Sequence, residues 1–248
     1  MRVCIIGYGL SAITLAKALV NLNIFVELVP PKKNYKINKS RTIGISKSNV
    51  NFFNKNIINI EKIIWKLNKI EIYSDNLKNG KILNFENNDE QLFSIVKNFE
   101  IFRIVNKGLA KNKYFKIIKP KKKLTNFKEY DLIINLDYNS DFTKRFFNKK
   151  IQKTYDSLAY TTIINHEKIL NNVAIQIFTK KGPLAFLPIS NYKTSIVYSI
   201  HDRKNYNSVD IKELINKYNL KYKIKKIENI ESFELKSFIL RSFYHDKI

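Results

Sequence analysis

The chain opens MRVCIIGYGLSAITLAKAL. Residues 3–6 form a short apolar run that ends at Gly7, the pattern of a buried strand. From Leu10 the period changes, and Ala12, Leu15, Leu19 and Leu22 fall on one helical face. A second apolar run covers residues 24–29 and is stopped by Pro30 and Pro31. Strand, tight glycine turn, helix and strand within about thirty residues is the opening unit of a doubly wound α/β domain. No other feature of the chain restricts its fold as strongly.

The residues at the turn suit an anion. Gly7 permits the tight turn, Gly9 lets the backbone approach a pyrophosphate, and Ala12 keeps the helix close to the sheet. The helix that begins near Leu10 points its free N–H groups at the same place. An ordinary strand–helix turn with two glycines is the alternative. Glu27 stands at the spacing of a ribose-binding acid, yet it falls inside the second strand, and the strand's end holds Pro30. Glu27 is therefore read either as a ribose contact or as a polar residue tolerated in the strand.

Farther along, RTIGISKSNVNFF places Arg41 before a strand-like TIGI. Ser46 or Ser48 can cap a helix whose Val50, Phe53 and Ile57 turn inward. KIEIYSD and KILNF read as two strands with a hairpin turn at Asn79–Gly80. EQLFSIVKNF reads as a helix and IFRIV as a strand. Residues 131–136 have the form of a central parallel strand, closed by Asp137 at the carboxyl end, where ligands meet such sheets. After residue 157 the texture changes to shorter runs with turn signals between them. Residues 174–178, 184–189 and 195–200 are expected in an antiparallel sheet. Ser208 is expected to cap a helix that carries Ile211, Leu214, Ile215 and Tyr218.

Composition narrows the function classes. Cys4 is the only cysteine, which leaves no disulfide framework and no cysteine-based metal site, and suits a reducing compartment. His166, His201 and His245 lack metal-ligand spacing, so no metal is expected. The net charge of +24 fits either an anionic partner or a compositional bias toward Lys, Asn and Ile. The lysines form no stripe and no aromatic-interleaved motif, which argues against nucleic acid. Lys17 and the glycine pattern argue against reading the amino terminus as a secretory signal.

Taken together, these segments resemble the class A FAD-dependent aromatic monooxygenases, in particular the hydroxylases of ubiquinone biosynthesis. GYGLSAITLAKAL resembles their FAD fingerprint, and RTIGISKSNVNFF their RT-x-x-x-S segment. The most specific stretch is YDSLAYTTIINHEKILNNVAIQIFTKKGPLAFLPISNYKTSIVY, which resembles the sheet of their substrate domain. The resemblance implies an α/β fold: a Rossmann-like FAD-binding parallel sheet over 1–67 and 96–150, and an antiparallel-sheet substrate domain over 68–95 and 151–248. It implies that Gly7, Gly9 and Ala12 hold the FAD pyrophosphate and that Arg41 lies beside the flavin. Asn106, in a VNKGL that resembles a strand-to-helix entry, would lie near FAD. Asp137 matches the aspartate of an Asp-Gly motif linked to FAD and NAD(P)H, although Tyr138 replaces the glycine. The family continues into a Gly-Asp motif beyond a segment like FELKSFILRSFYHDKI, so a truncated relative or fragment is expected.

The implied reaction is hydroxylation of a polyprenylated phenol by FAD, NAD(P)H and molecular oxygen, chemistry that the cofactor carries and that asks for no catalytic side chain. The implied location is cytoplasmic, with lysines attracted to the surface of the inner membrane, and other ubiquinone-biosynthesis proteins would be partners. Two other readings compete: a flavin- or nucleotide-binding relative without turnover, and a basic interaction protein that uses the fold as a scaffold.

Overall fold

In the computed structural model, which describes residues 1–31, 38–75, 80–87, 91–118, 129–201 and 206–248, strand β1 (Arg2–Ile6) is the organising element. Helix α1 (Leu10–Asn21) follows it directly and presents Ala12, Ile13, Ala16 and Val20 to the core. Strand β2 (Phe25–Val29) then returns parallel to β1, with Ile6 opposite Val29. The order strand, turn, helix, strand is as the sequence predicts, but the buried face of α1 is shifted from the expected one: Leu15 and Leu19 are only partly buried, and Leu22, beyond the helix end, is exposed.

The chain next forms β3 (Thr42–Ser46), α2 (Lys47–Asn56) and β4 (Ile64–Leu67). Ser46, not Ser48, caps α2 by accepting the Asn49 N–H. Strands β5 (Lys69–Ser74) and β6 (Gly80–Glu86) pair antiparallel. The Asn79 half of the expected Asn79–Gly80 turn lies outside the described residues.

Two expectations are reversed in the next stretch. Within EQLFSIVKNF the structure has a strand, β7 (Phe93–Lys97), and IFRIV lies inside helix α3 (Asn98–Ala110). Each run holds only a short apolar core with β-branched residues, LFSIV in the first and IFRIV in the second, so neither declares its state locally. Pairing decides it: β7 bonds to β3 on one side and β4 on the other, forming a three-stranded sheet. In α3, Ile101, Val105 and Leu109 recur every four residues and face α1 in the main core.

Strands β8 (Phe115–Ile117) and β9 (Leu132–Asn135) complete a parallel sheet of order β8-β2-β1-β9. Helices α1 and α3 cover one face through Val3, Ile5, Val26 and Leu28. The short α4 (Asp141–Phe146) covers the other, where Cys4, Ile6, Ile133 and Phe142 cluster. Layers on both faces explain why β1 and β2 read as continuous apolar runs.

The remaining strands build an antiparallel sheet onto which β5 and β6 are added. It contains β10 (Lys150–His166), β11 (Val173–Thr179), β12 (Gly182–Ser190), β13 (Lys193–Ile200), β14 (Ile224–Ile227) and β15 (Glu231–Leu240). Its order is β14-β10-β13-β12-β11-β5-β6, with β15 also paired to β10. Helix α5 (Ser208–Lys217) packs Ile211 and Ile215 on one face of this sheet, among Tyr160, Phe186 and Tyr198. Its cap is Asn207, one residue before the expected Ser208. Asn207 accepts the N–H groups of Val209 and Asp210, and the Asp210 carboxylate accepts the Asn207 N–H.

Candidate functional site

Gly7 has φ +124°, and a Cβ there would lie 3.2 Å from the carbonyl carbon of Leu136. The turn thus crosses the end of β9 too closely for a side chain, which is the physical reason for glycine at this position. Gly9 has ordinary extended angles, φ −81° and ψ 177°, and forms the N-cap of α1 with no side chain bonded to the helix N–H groups. The first turn of α1 carries no acid. The result is an uncapped helix start at the carboxyl ends of β1, β2 and β9, able to receive an anion. Ala12 is buried between α1 and the sheet, where its small side chain allows close packing.

Asn106 lies well inside α3, not at a strand-to-helix entry, so that reading of VNKGL is corrected. The packing of α3 on α1 nevertheless brings it to the turn. The Tyr8 hydroxyl donates to Asn106 Oδ1 at 3.1 Å, and the Tyr8 ring meets Phe102 edge-on at 5.3 Å. Tyr8 carries no signal in the sequence, because the glycine motif specifies no residue type between its two glycines.

Asp137 follows β9 and organises its own turn. Its N–H donates to Asn135 Oδ1, its Oδ1 accepts the Asn139 N–H at 3.0 Å, and its carbonyl accepts from Thr143. Tyr138 beside it is exposed and packs against Phe238 of β15.

Glu27 does not reach a ligand position. It is buried, its Oε1 accepts from the Arg2 guanidinium at 3.0 Å, and its Oε2 accepts from the Tyr130 hydroxyl. Burial opposes its ionisation, but the hydrogen bonds from Tyr130 and Arg2 outweigh that and hold its pKa below the usual carboxylate value. Tyr130 is correspondingly pushed up, by burial first and then by Glu27. Of the two readings of Glu27, the polar strand residue is the one observed. Cys4, its neighbour across the strands, is raised by burial to about 12 and is an unreactive core residue.

Arg41 is exposed, with its guanidinium carbon 5.0 Å from the Phe233 ring centroid on β15. The segment around it is fastened from both sides. Asn38 Oδ1 accepts from the backbone N–H groups of Ser40 and Arg41, and the Arg41 carbonyl accepts from Asn98. Ser40 and Thr161 share a hydrogen bond of 3.1 Å, and Thr42 and Ser195 one of 2.9 Å. These pairs fix the segment onto β10 and β13, so Arg41 stands where the antiparallel sheet meets the three-stranded one. An open cleft of about 770 Å³ adjoins this segment, lined by Asn38, Lys39, Ser40, Glu228 and Glu231 among others. The glycine turn is not part of its lining. Phe233 and Thr161 carry no local signal that could have marked them, because each meets its partner across more than a hundred residues.

No protein-family model matches the chain, and no curated protein matches it in sequence. Solved structures do match. The p-nitrophenol 4-monooxygenase PnpA from Pseudomonas putida DLL-E4 aligns over 99% of this chain and 70% of its own, with a TM-score of 0.76 at 9% identity. The flavin-dependent monooxygenase PieE, solved with FAD and substrate, aligns over 100% of this chain with a TM-score of 0.72 at 11% identity. This chain spans 52% of PieE's length. The tetracycline destructase Tet(51) aligns over 99% of this chain and 72% of its own, with a TM-score of 0.58 at 11% identity. At such identities the likeness is one of fold, and the fold is the α/β arrangement of a parallel sheet with an antiparallel sheet seen in FAD-dependent monooxygenases.

Proposed function

We propose that the chain binds FAD and belongs to an NAD(P)H-using aromatic monooxygenase. The observation that carries this reading is the uncapped start of α1 behind Gly7 and Gly9, in a fold like that of flavin monooxygenases. Gly7, Gly9 and Ala12 would hold the pyrophosphate, with α1 N–H groups as donors. Tyr8 and Asn106 would keep the turn in shape, Arg41 would face the flavin, and Asp137 would close the site at the end of β9. When bound, FAD supplies the redox chemistry, with NAD(P)H as reductant and oxygen as the source of the hydroxyl. The chain's own work is to orient the ring and exclude water. The resemblance of YDSLAYTTIINHE and GPLAFLPIS to ubiquinone-biosynthesis hydroxylases favours a polyprenylated phenol as substrate. Such a substrate resides in a bilayer. No described helix is long and apolar enough to cross one, so contact would be peripheral, through lysines near anionic lipid.

A second reading, a flavin-binding relative without turnover, is favoured by Pro30 and Tyr138, which replace expected cofactor contacts, and by the internal engagement of Glu27. Flavin titration of wild type and Gly9→Val tests the first step for both. We expect a yellow complex for wild type and at least tenfold weaker binding for Gly9→Val with an unchanged circular dichroism spectrum. Equal affinity would make the turn purely structural. Consumption of NADPH coupled to a prenylated phenol then separates the two readings.

A further inference from the structure

Strand β6 ends the antiparallel sheet, paired with β5 on one side and with no described strand on the other. Six of its seven residues are exposed, and Ile82, Leu83 and Phe85 keep 45%, 50% and 49% of their surface open. An open strand edge with large apolar side chains is a template for pairing, and natural edges are usually protected by free charge. Here the charges are spent inward. Lys81 bonds Glu71 at 2.6 Å and Lys69 bonds Glu86 at 3.1 Å, all on one face of the β5–β6 hairpin. The other face is apolar: Phe85 lies opposite Ile70, and Leu83 opposite Ile72.

We infer that β6 pairs with β6 of a second copy of this chain, antiparallel about a twofold axis, to join the two sheets into one. Three observations select a second copy. First, charge: a chain of net charge +24 repels itself, but the described residues 69–75 and 80–87 hold two lysines, both ion-paired, against three acids, so this edge is close to neutral and two copies of it meet with little repulsion. Second, self-complementarity: a twofold axis normal to the sheet sets same-face residues opposite one another. The register centred on Asn84 then places each Leu83 against Phe85 of the other copy, giving two apolar cross-strand pairs. Third, closure: at the far side of the sheet β14 and β15 expose Lys225, Lys226 and Lys236, the kind of side chain that guards an edge against strand addition. Head-to-tail pairing of β6 with that side is therefore disfavoured, and the assembly stops at two.

The test is sedimentation of the full chain over a concentration series, with two variants. Wild type should pass from monomer to dimer and no further. Leu83→Lys with Phe85→Lys should weaken dimerisation at least tenfold while leaving the thermal unfolding temperature near that of wild type, because both side chains are half exposed. Independently, Asn84→Cys should form a disulfide-linked dimer on mild oxidation, while Phe52→Cys, at another exposed position, should not; Cys4 is buried and stays out of the exchange. A monomer at every concentration overturns the inference. So does a dimer that ignores the double lysine variant, growth into open-ended polymers, or equal cross-linking at positions 84 and 52.

Discussion

Tyr8 and Asn106, ninety-eight residues apart in sequence, are joined by a hydrogen bond of 3.1 Å that ties the glycine turn to helix α3. Tyr8→Phe removes the donor and keeps the ring contact with Phe102, so it should cost about 1 kcal/mol of stability. Flavin affinity should fall several-fold, since the turn loses its tether. Urea denaturation and flavin titration read the two effects separately. If affinity is unchanged while stability falls, the tether serves the fold alone.

Gly7→Ala should be more damaging than its size suggests. The backbone is held at φ +124°, and the new methyl would press on the backbone of Leu136. Strain of this kind costs about 1–3 kcal/mol. Chemical denaturation of both forms measures it. Equal midpoints would mean that the turn relaxes without penalty.

The Arg2–Glu27–Tyr130 cluster should govern acid stability. The folded pKa of Glu27 is lowered, so its contribution is fully present above the ordinary value of 4.5 and is lost as pH falls through the folded value. Arg2→Met leaves Glu27 buried with Tyr130 alone. Since the Arg2 side chain is 40% exposed and partly screened, a loss of about 2 kcal/mol at neutral pH is expected, below the usual range for a buried pair. Glu27→Gln should flatten the acid limb of the stability profile, and an unchanged limb would place the acid sensitivity elsewhere.

His166 should add a second pH dependence. Its Nδ1 donates to the Glu167 carbonyl at 2.7 Å and its Nε2 accepts from Thr194 at 3.0 Å, an arrangement that suits the neutral ring. Burial lowers its pKa, helped by nearby Lys221 and opposed by the bond to Glu167. The unfolded chain takes up a proton near pH 6.5 that the fold resists, so stability is complete above 6.5 and declines as pH falls below it. Urea midpoints at pH about 7.5 and about 5.5 should differ for wild type and much less for His166→Gln. Equal differences in both proteins would exclude His166 as the source.

Local chemistry settled much of this protein from the sequence alone. The β1–turn–α1–β2 unit, a serine cap of α2 at Ser46 or Ser48, and strands β11 to β13 were legible because apolar period, turn residues and caps act within a few positions. Tertiary structure alone decided the rest. Phe93–Lys97 became a strand because β3 and β4 offered it hydrogen-bond partners on both sides, and Asn98–Ala110 became a helix because α1 offered a face to Ile101, Val105 and Leu109. Glu27 turned inward because Arg2 and Tyr130, the latter 103 residues away, satisfy its charge better than a ligand site at the strand's middle could. The polar first half of β10 shows no apolar alternation, and its strand exists because β15 pairs with it. A residue's period is written in its neighbours, whereas its partner is chosen across the chain by which burial and hydrogen bonds the whole fold can satisfy at once.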